Sequence, residues 1–234
     1  MTGRLYLIPN SLGESNIEKV IPSDIFHIIK SLKFFAVENI RTARRFLKKV
    51  DKDIVIDDLN FTILDKNTQE EELSKIIYPL LNGEDLGIIS EAGCPGVADP
   101  GANLVELAHK KGITVIPLVG PSSILLAMMA SGLNGQSFAF NGYLPIQRND
   151  RVNALKLFET RSLKENQAQL FIETPYRNLQ LFDDIVVACK PHTRLCIACD
   201  ITLESEFIQT KTIKEWQKNK PDINKRPAIF IIQG

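Results

Sequence analysis

The stretch from Leu86 to Gly101, LGIISEAGCPGVADPG, restricts the fold of this chain more than any other. Leu86-Gly87-Ile88-Ile89 has the pattern of a buried strand, and Ser90 breaks it into a loop holding Gly93, Pro95, Gly96, Pro100 and Gly101. Glycine and proline at that density can continue neither a ladder nor a helix, so the strand must deliver the chain to a shaped surface. A second such event follows the apolar run Thr114 to Val119, where Gly120-Pro121-Ser122-Ser123 turns into the helical pattern ILLAMMASGL. Loops at strand carboxyl ends are where an open α/β sheet places its ligand. The first loop is long for a βα connection, which runs about 2–6 residues. It also sets the acids Glu91 and Asp99 among its prolines and glycines. Such a rigid wall with a few fixed acceptors suits a bound small molecule better than a bare turn.

Around these loops the pattern is that of alternating strands and helices. Arg4 to Pro9 and Phe34 to Val37 read as strands, and Ile25 to Leu32 as a helix capped by Ser23-Asp24. A helix follows from Ile40, with Arg41, Arg45, Lys48 and Lys52 along one face and Arg44 beside them. Ile54 to Leu59 is expected to be a strand, and Thr68 opens a capping box before a helix running through Leu81. The helix from Gly120-Pro121-Ser122-Ser123 to Ser131 is almost wholly apolar and is expected to be buried all round. Beyond it, Phe138 to Phe140 is a strand, Gln147 to Asp150 a polar loop, and Val152 to Phe158 a helix. LFIE, LCIACDIT, Glu206 to Gln209 and Ala228 to Gln233 supply strands with little βα alternation, which points to a mixed sheet. The expected architecture is two α/β domains, residues 1–118 with a parallel sheet and residues 119–234 with a mixed one.

Twenty-eight basic and 28 acidic residues cancel, so the overall field selects neither nucleic acid nor membrane as a partner. The chain has no apolar run of about 18 residues and its start lacks a signal-peptide pattern, so no membrane span and a cytoplasmic location are expected. Cys196 and Cys199 have a zinc-like spacing, but they lie in an apolar strand where residues three apart face opposite ways. Ordinary buried thiols and no metal are expected. There is no Walker loop, no G-x-G-x-x-G after a strand and no G-x-S-x-G elbow.

SEAGCPGVADPG followed by PLVGPSS resembles the paired signatures of the tetrapyrrole methylase superfamily. Its branch with the ribosomal RNA small-subunit cytidine 2′-O-methyltransferase is the most similar. The likeness runs in order through Leu5-Tyr6-Leu7-Ile8-Pro9, Ala36-Val37-Glu38-Asn39-Ile40-Arg41, Asn141-Gly142-Tyr143-Leu144-Pro145 and Ile172-Glu173-Thr174-Pro175-Tyr176-Arg177. The resemblance implies a ligand cleft between the two domains, S-adenosylmethionine as methyl donor, and a homodimer, to which the sequence adds only apolar residues in Phe138 to Tyr143 and Ile124 to Met129 that could serve core or interface equally. It carries donor contacts to Leu12, Cys94, Val97, Ser122 and Ser123, and to Tyr143, Leu144 and Glu173 from the later half. Glu38 and Glu91 are the acids it turns toward the acceptor, and Arg41 and Arg45 are the residues offered to a substrate phosphate.

The sequence departs from that branch at two motifs. Glu38-Asn39-Ile40-Arg41 stands where E-D-T-R is common, and Ser90-Glu91-Ala92-Gly93-Cys94-Pro95 where S-D-A-G-T-P is common. An extra C-terminal segment common in the branch is expected to be missing, since Ala228 to Gln233 reads as a closing strand. The basic row beside Glu38 favours an RNA acceptor. A tetrapyrrole or other small-molecule acceptor, and a catalytically decayed module that still binds the donor, are the alternatives.

Overall fold

The computed structural model describes residues 2–234, and the chain divides into two compact units, Met1–Ser122 and Ser123–Gly234. In the N-terminal unit the strands are β1 (Arg4–Ile8), β2 (Phe34–Val37), β3 (Asn60–Ile63), β4 (Leu86–Ile89) and β5 (Thr114–Pro117). The helices are α1 (Ser23–Ser31), α2 (Ile40–Val50), α3 (Glu70–Ile76), α4 (Tyr78–Leu81) and α5 (Ala102–Lys110). The sheet is parallel throughout, in the order β3-β2-β4-β1-β5. Side chains alternate across it: Tyr6, Ile8, Phe35 and Val37 pack with the apolar faces of α1 and α2, while Leu5, Ala36, Leu86 and Ile88 pack with α3, α4 and α5. A three-layer sandwich results, and its buried central strands leave only their ends for function.

Several boundaries differ from the sequence reading for local reasons. Ser23 and Asp24 lie inside α1, whose cap position is Pro22. Ile54 to Leu59 forms no strand; Ile56–Asp58 is a 3₁₀ turn, and the strand is the next stretch, Asn60–Ile63, which pairs with β2. The capping box sits one residue later than expected, between Gln69 and Glu72, and the helix breaks at Ile77 because Pro79 cannot continue it.

The C-terminal unit contains α6 (Ser123–Ser131), β6 (Phe138–Tyr143), α7 (Arg148–Glu165), β7 (Ala168–Ile172), α8 (Asn178–Ala188), β8 (Arg194–Cys199), β9 (Phe207–Thr212), α9 (Ile213–Trp216) and β10 (Ala228–Gln233). Its sheet is mixed, β6-β7-β10-β8-β9, with β6 and β7 parallel and the other pairs antiparallel. β10 is buried along its whole length, and Phe171 stacks on Phe230 with ring centroids 6.2 Å apart. Trp216 closes the core and donates its indole N–H to Leu195 O at 2.9 Å.

Two expectations fail in this unit. Gln147 to Asp150 is not all loop, because α7 starts at Arg148 and runs 18 residues to Glu165. The second failure is α6, which is buried on one side only. Ala127, Met128 and Ser131 are buried, while Met129 is 79 % and Leu125 53 % exposed. Among the described residues no helix is long and apolar enough to cross a membrane.

Candidate functional site

In the N-terminal unit three loops leave the carboxyl ends of β1, β4 and β5 and are fastened to one another. Asn10 and Gly93 exchange backbone hydrogen bonds, Asn10 N to Gly93 O at 2.9 Å and Gly93 N to Asn10 O at 3.1 Å. The Asn10 side-chain amide donates to Ser90 O at 3.1 Å, and the Ser90 hydroxyl donates to Gly93 O at 2.7 Å. Gly93 adopts φ +70°, which a side chain would strain. The third loop is drawn in from both sides. The Cys94 thiol donates to Pro121 O at 3.5 Å, and a Cβ on Gly120 would come within 2.2 Å of Pro9. Their shape is therefore set before any ligand arrives.

Leu12, Glu91, Thr42 and Arg45 line one cavity of about 220 Å³ with Asn10, Phe46 and Lys49. The structure thus brings together a residue expected at the donor, one expected to act on the acceptor and one expected at a phosphate. Cys94 is half-buried in the same loop, and Val97 is exposed further along it. Arg41 is exposed in the first turn of α2.

The basic row is rearranged. Arg44 turns away to stand over the Phe61 ring, 5.5 Å from its centroid, and Lys52 lies beyond the end of α2. The second cation on the cavity wall is Lys49, paired with Glu14 at 2.9 Å. Helical geometry contains that signal, since Lys49 is one turn from Arg45.

Glu38 directly follows β2 and Glu91 lies two residues past β4, and these strands are neighbours in register, Val37 opposite Ile89. The Thr42 hydroxyl, from the first turn of α2, donates to Glu91 Oε1. Asp99, from the far end of the same glycine-rich loop, completes a group of three acids. Its burial, a hydrogen bond with Glu38 and the negative charges of Glu38 and Glu91 push its carboxyl up to about 8. Oε1 of Glu38 is buried and finds no partner among the fixed donors around it. The sequence reading named Asp99 in the loop but assigned it no role. Asn39, the departure from the common acid, accepts from Arg41 N at 2.9 Å and Thr42 N at 3.4 Å, so it caps α2 as an aspartate would.

In the C-terminal unit, Tyr143 pairs with Ile172 across the parallel β6–β7 pair, which puts Tyr143, Leu144 and Glu173 at one carboxyl edge. Tyr143 is 59 % exposed. Leu144 packs its side chain into the core, so only its main chain is available to a ligand. Glu173 is buried and accepts from Arg177 Nη2 and from Thr174 N, both at 2.6 Å. Ser123 opens α6, and Ser122 is the last residue of the N-terminal unit.

No protein-family model matches the chain. Ribosomal RNA small subunit methyltransferase I of Halalkalibacterium halodurans is 34% identical over 211 residues, 88% of this chain and 68% of that protein. The protein of the same name from Buchnera aphidicola subsp. Schizaphis graminum is 30% identical over 235 residues, 99% of this chain and 78% of that one. The chain belongs to the ribosomal RNA small subunit methyltransferase I family. Among solved structures, the methyltransferase CobJ has a TM-score of 0.67 at 14% identity, over 100% of this chain and 95% of that one. Uroporphyrin-III C-methyltransferase from Thermus thermophilus, complexed with S-adenosyl homocysteine, has 0.59 at 14%, over 99% and 97%. The chain thus has the tetrapyrrole methylase fold, as the sequence motifs implied.

Proposed function

We propose that this chain transfers a methyl group from S-adenosylmethionine to a hydroxyl of small-subunit ribosomal RNA. The observation that carries this reading is the cavity on which Leu12, Glu91, Thr42, Arg45 and Lys49 converge beside three mutually fastened loops. The family's name supports the acceptor, and the methyltransferase folds support the class of reaction. S-adenosylmethionine brings a methyl group already activated by its sulfonium, so the protein's share is alignment and exclusion of water. The fastened loops suit that share. Leu12, Cys94, Val97, Ser122 and Ser123 are assigned to the donor, with Tyr143, the Leu144 main chain and Glu173 in the C-terminal unit.

Glu91, oriented by the Thr42 hydroxyl, takes the proton of the acceptor hydroxyl. Asp99 keeps its own proton at neutral pH, which spares the group a third negative charge. Arg45 and Lys49 on the wall attract the RNA phosphates, as does Arg41, exposed in the first turn of α2. Titration with S-adenosylhomocysteine should give heat in the micromolar range; none at high micromolar ligand removes the donor reading. Labelled donor should then mark small-subunit RNA from a strain lacking this protein. Label in a tetrapyrrole fraction instead would overturn the acceptor.

We also infer that two copies pair through the bare side of α6. Leu125, Met129, Leu133 and Phe138 surround an open apolar cavity of about 270 Å³, and a face of this kind needs a cover. Sedimentation should give twice the 26.3 kDa chain mass, and Met129→Glu should return the monomer. A wild-type monomer across micromolar concentrations rejects the pairing.

A further inference from the structure

Arg151 is 1 % exposed, yet its guanidinium reaches an exposed segment of chain. From the first turn of α7 its Nη1 donates to Pro145 O at 3.1 Å and to Ile146 O at 2.7 Å. Nε and Nη2 donate to Asp184 Oδ2 at 2.8 and 2.6 Å, and Asp184 on α8 is itself buried. Arg148 Nε donates to the other oxygen of Asp184 at 2.9 Å. The carbonyls so held belong to residues whose side chains face solvent, Ile146 at 70 % exposure. Those side chains do not themselves hold the main chain behind them in place. A buried ion pair is also weak evidence for stability, because desolvation offsets most of its Coulombic gain. What the arrangement does provide is a fixed path for the chain just after Tyr143 and Leu144.

The other end of that segment is fixed independently. Between Phe140 and Tyr143 the pairing of β6 with β7 slips through a bulge, where Gly142 takes φ +64°. Bulges of this kind re-aim side chains beside functional sites. The Asn141 amide secures it by donating to Gln169 Oε1 at 3.1 Å and Leu170 O at 3.3 Å. Tyr143 and Leu144 thus lie between a stapled bulge and a buried guanidinium.

We propose that Arg151, held by Asp184, is a positioning residue that keeps the Tyr143–Leu144 main chain in the form that receives the methyl donor. It touches no ligand and acts through the carbonyls of Pro145 and Ile146. The proposal rests on the assignment of Tyr143 and Leu144 to the donor made above.

The test uses the full chain with Arg151→Lys, Arg151→Met and Asp184→Asn, each measured well below its melting temperature. Arg151→Met should raise the S-adenosylhomocysteine Kd and the donor KM about tenfold or more, the scale of loss from a misplaced binding group. RNA affinity should stay within about twofold, and amide exchange should quicken at Leu144 and Ile146. Arg151→Lys, which keeps the charge without the fork, should fall between wild type and Arg151→Met. A lowered melting temperature with unchanged donor Kd and KM would make Arg151 a scaffold residue and overturn the proposal. Should Arg151→Met fail to fold, Arg151→Lys and Asp184→Asn decide by the same measurements. Should wild type bind no S-adenosylhomocysteine, the donor assignment falls by itself. Unchanged exchange over residues 143–147 in Arg151→Lys then rejects the clamp separately.

Discussion

The buried carboxylates of the C-terminal unit each have a cation or several donors, whereas the acids at the carboxyl edge of the N-terminal sheet have mainly one another. Asp184 faces Arg151 and Arg148, Asp200 takes Arg226 Nε at 2.8 Å, and Glu159 accepts from Lys190 N and the Thr193 hydroxyl. Glu38, Glu91 and Asp99 form no ion pair among the described residues, and Asp99 is pushed up to about 8. One arrangement offsets the cost of burying its charges. The other raises it, and such a conflict persists where the groups are held ready for a reaction.

The largest effect should come from breaking a satisfied pair. Asp184→Ala leaves the Arg151 charge buried without its partner and should cost about 3–5 kcal/mol of stability, read from the urea midpoint. Arg148→Ala removes only the exposed partner and should cost less than about 1 kcal/mol. Equal costs for the two would erase the distinction between buried and exposed members of this network.

At the crowded edge the same kind of change should strike activity instead. Glu91→Gln removes the acceptor for the substrate proton and should slow turnover about 10²-fold. Its stability should hold or rise, since one of the two negative charges beside Asp99 is gone. A drop in stability comparable with that of Asp184→Ala would place Glu91 in the scaffold.

How much of this was legible in the sequence follows from how local each signal is. β4 and its loop could be read because a buried run and a cluster of glycines and prolines are complete within themselves. β3 could not, since Asn60-Phe61-Thr62-Ile63 becomes a strand by pairing with β2. The start of α7 was hidden because Arg151 looks like a loop or surface residue until Asp184, 33 positions away, comes beside it. Ile124 to Met129 could be read as core or interface equally, and which side of α6 stays bare could not, because apolar composition does not say which faces find a cover. Glu38 and Glu91 came from motifs, but the perturbation of Asp99 depends on the register of β2 against β4, which no single stretch contains.

Asp99 offers a finer test through pH. Its carboxyl is raised in the folded chain, so the folded state binds more protons than the unfolded state between about 4 and 8. The stability it contributes is complete below the unfolded pKa and is lost as pH rises through about 8. Wild type should therefore lose stability between pH 6 and 9 more steeply than Asp99→Asn, which has no proton to lose there. Parallel stability curves for the two proteins would mean that the acids do not crowd one another.

The smallest effect concerns cations at the same edge, which contrast with the buried arginines of the C-terminal unit. Arg41 and Arg45 are solvent-exposed, so their removal leaves no desolvated charge and should change the melting temperature little. Their contribution lies in releasing counterions from RNA phosphates, and each lost contact lowers the slope of log K against log salt by about one. Arg41→Ala with Arg45→Ala should thus flatten the salt dependence of RNA binding by up to about two while S-adenosylhomocysteine affinity stays the same. Lys49→Ala should add to that change, because Lys49 shares the cavity wall with Arg45 and Lys48 does not. Lys48→Ala, whose ammonium donates to Lys52 O at 2.7 Å, should leave the slope unaltered. An equal change from Lys48 and Lys49 would show that RNA senses only the overall charge of α2, and the cavity wall would lose its claim to the phosphates.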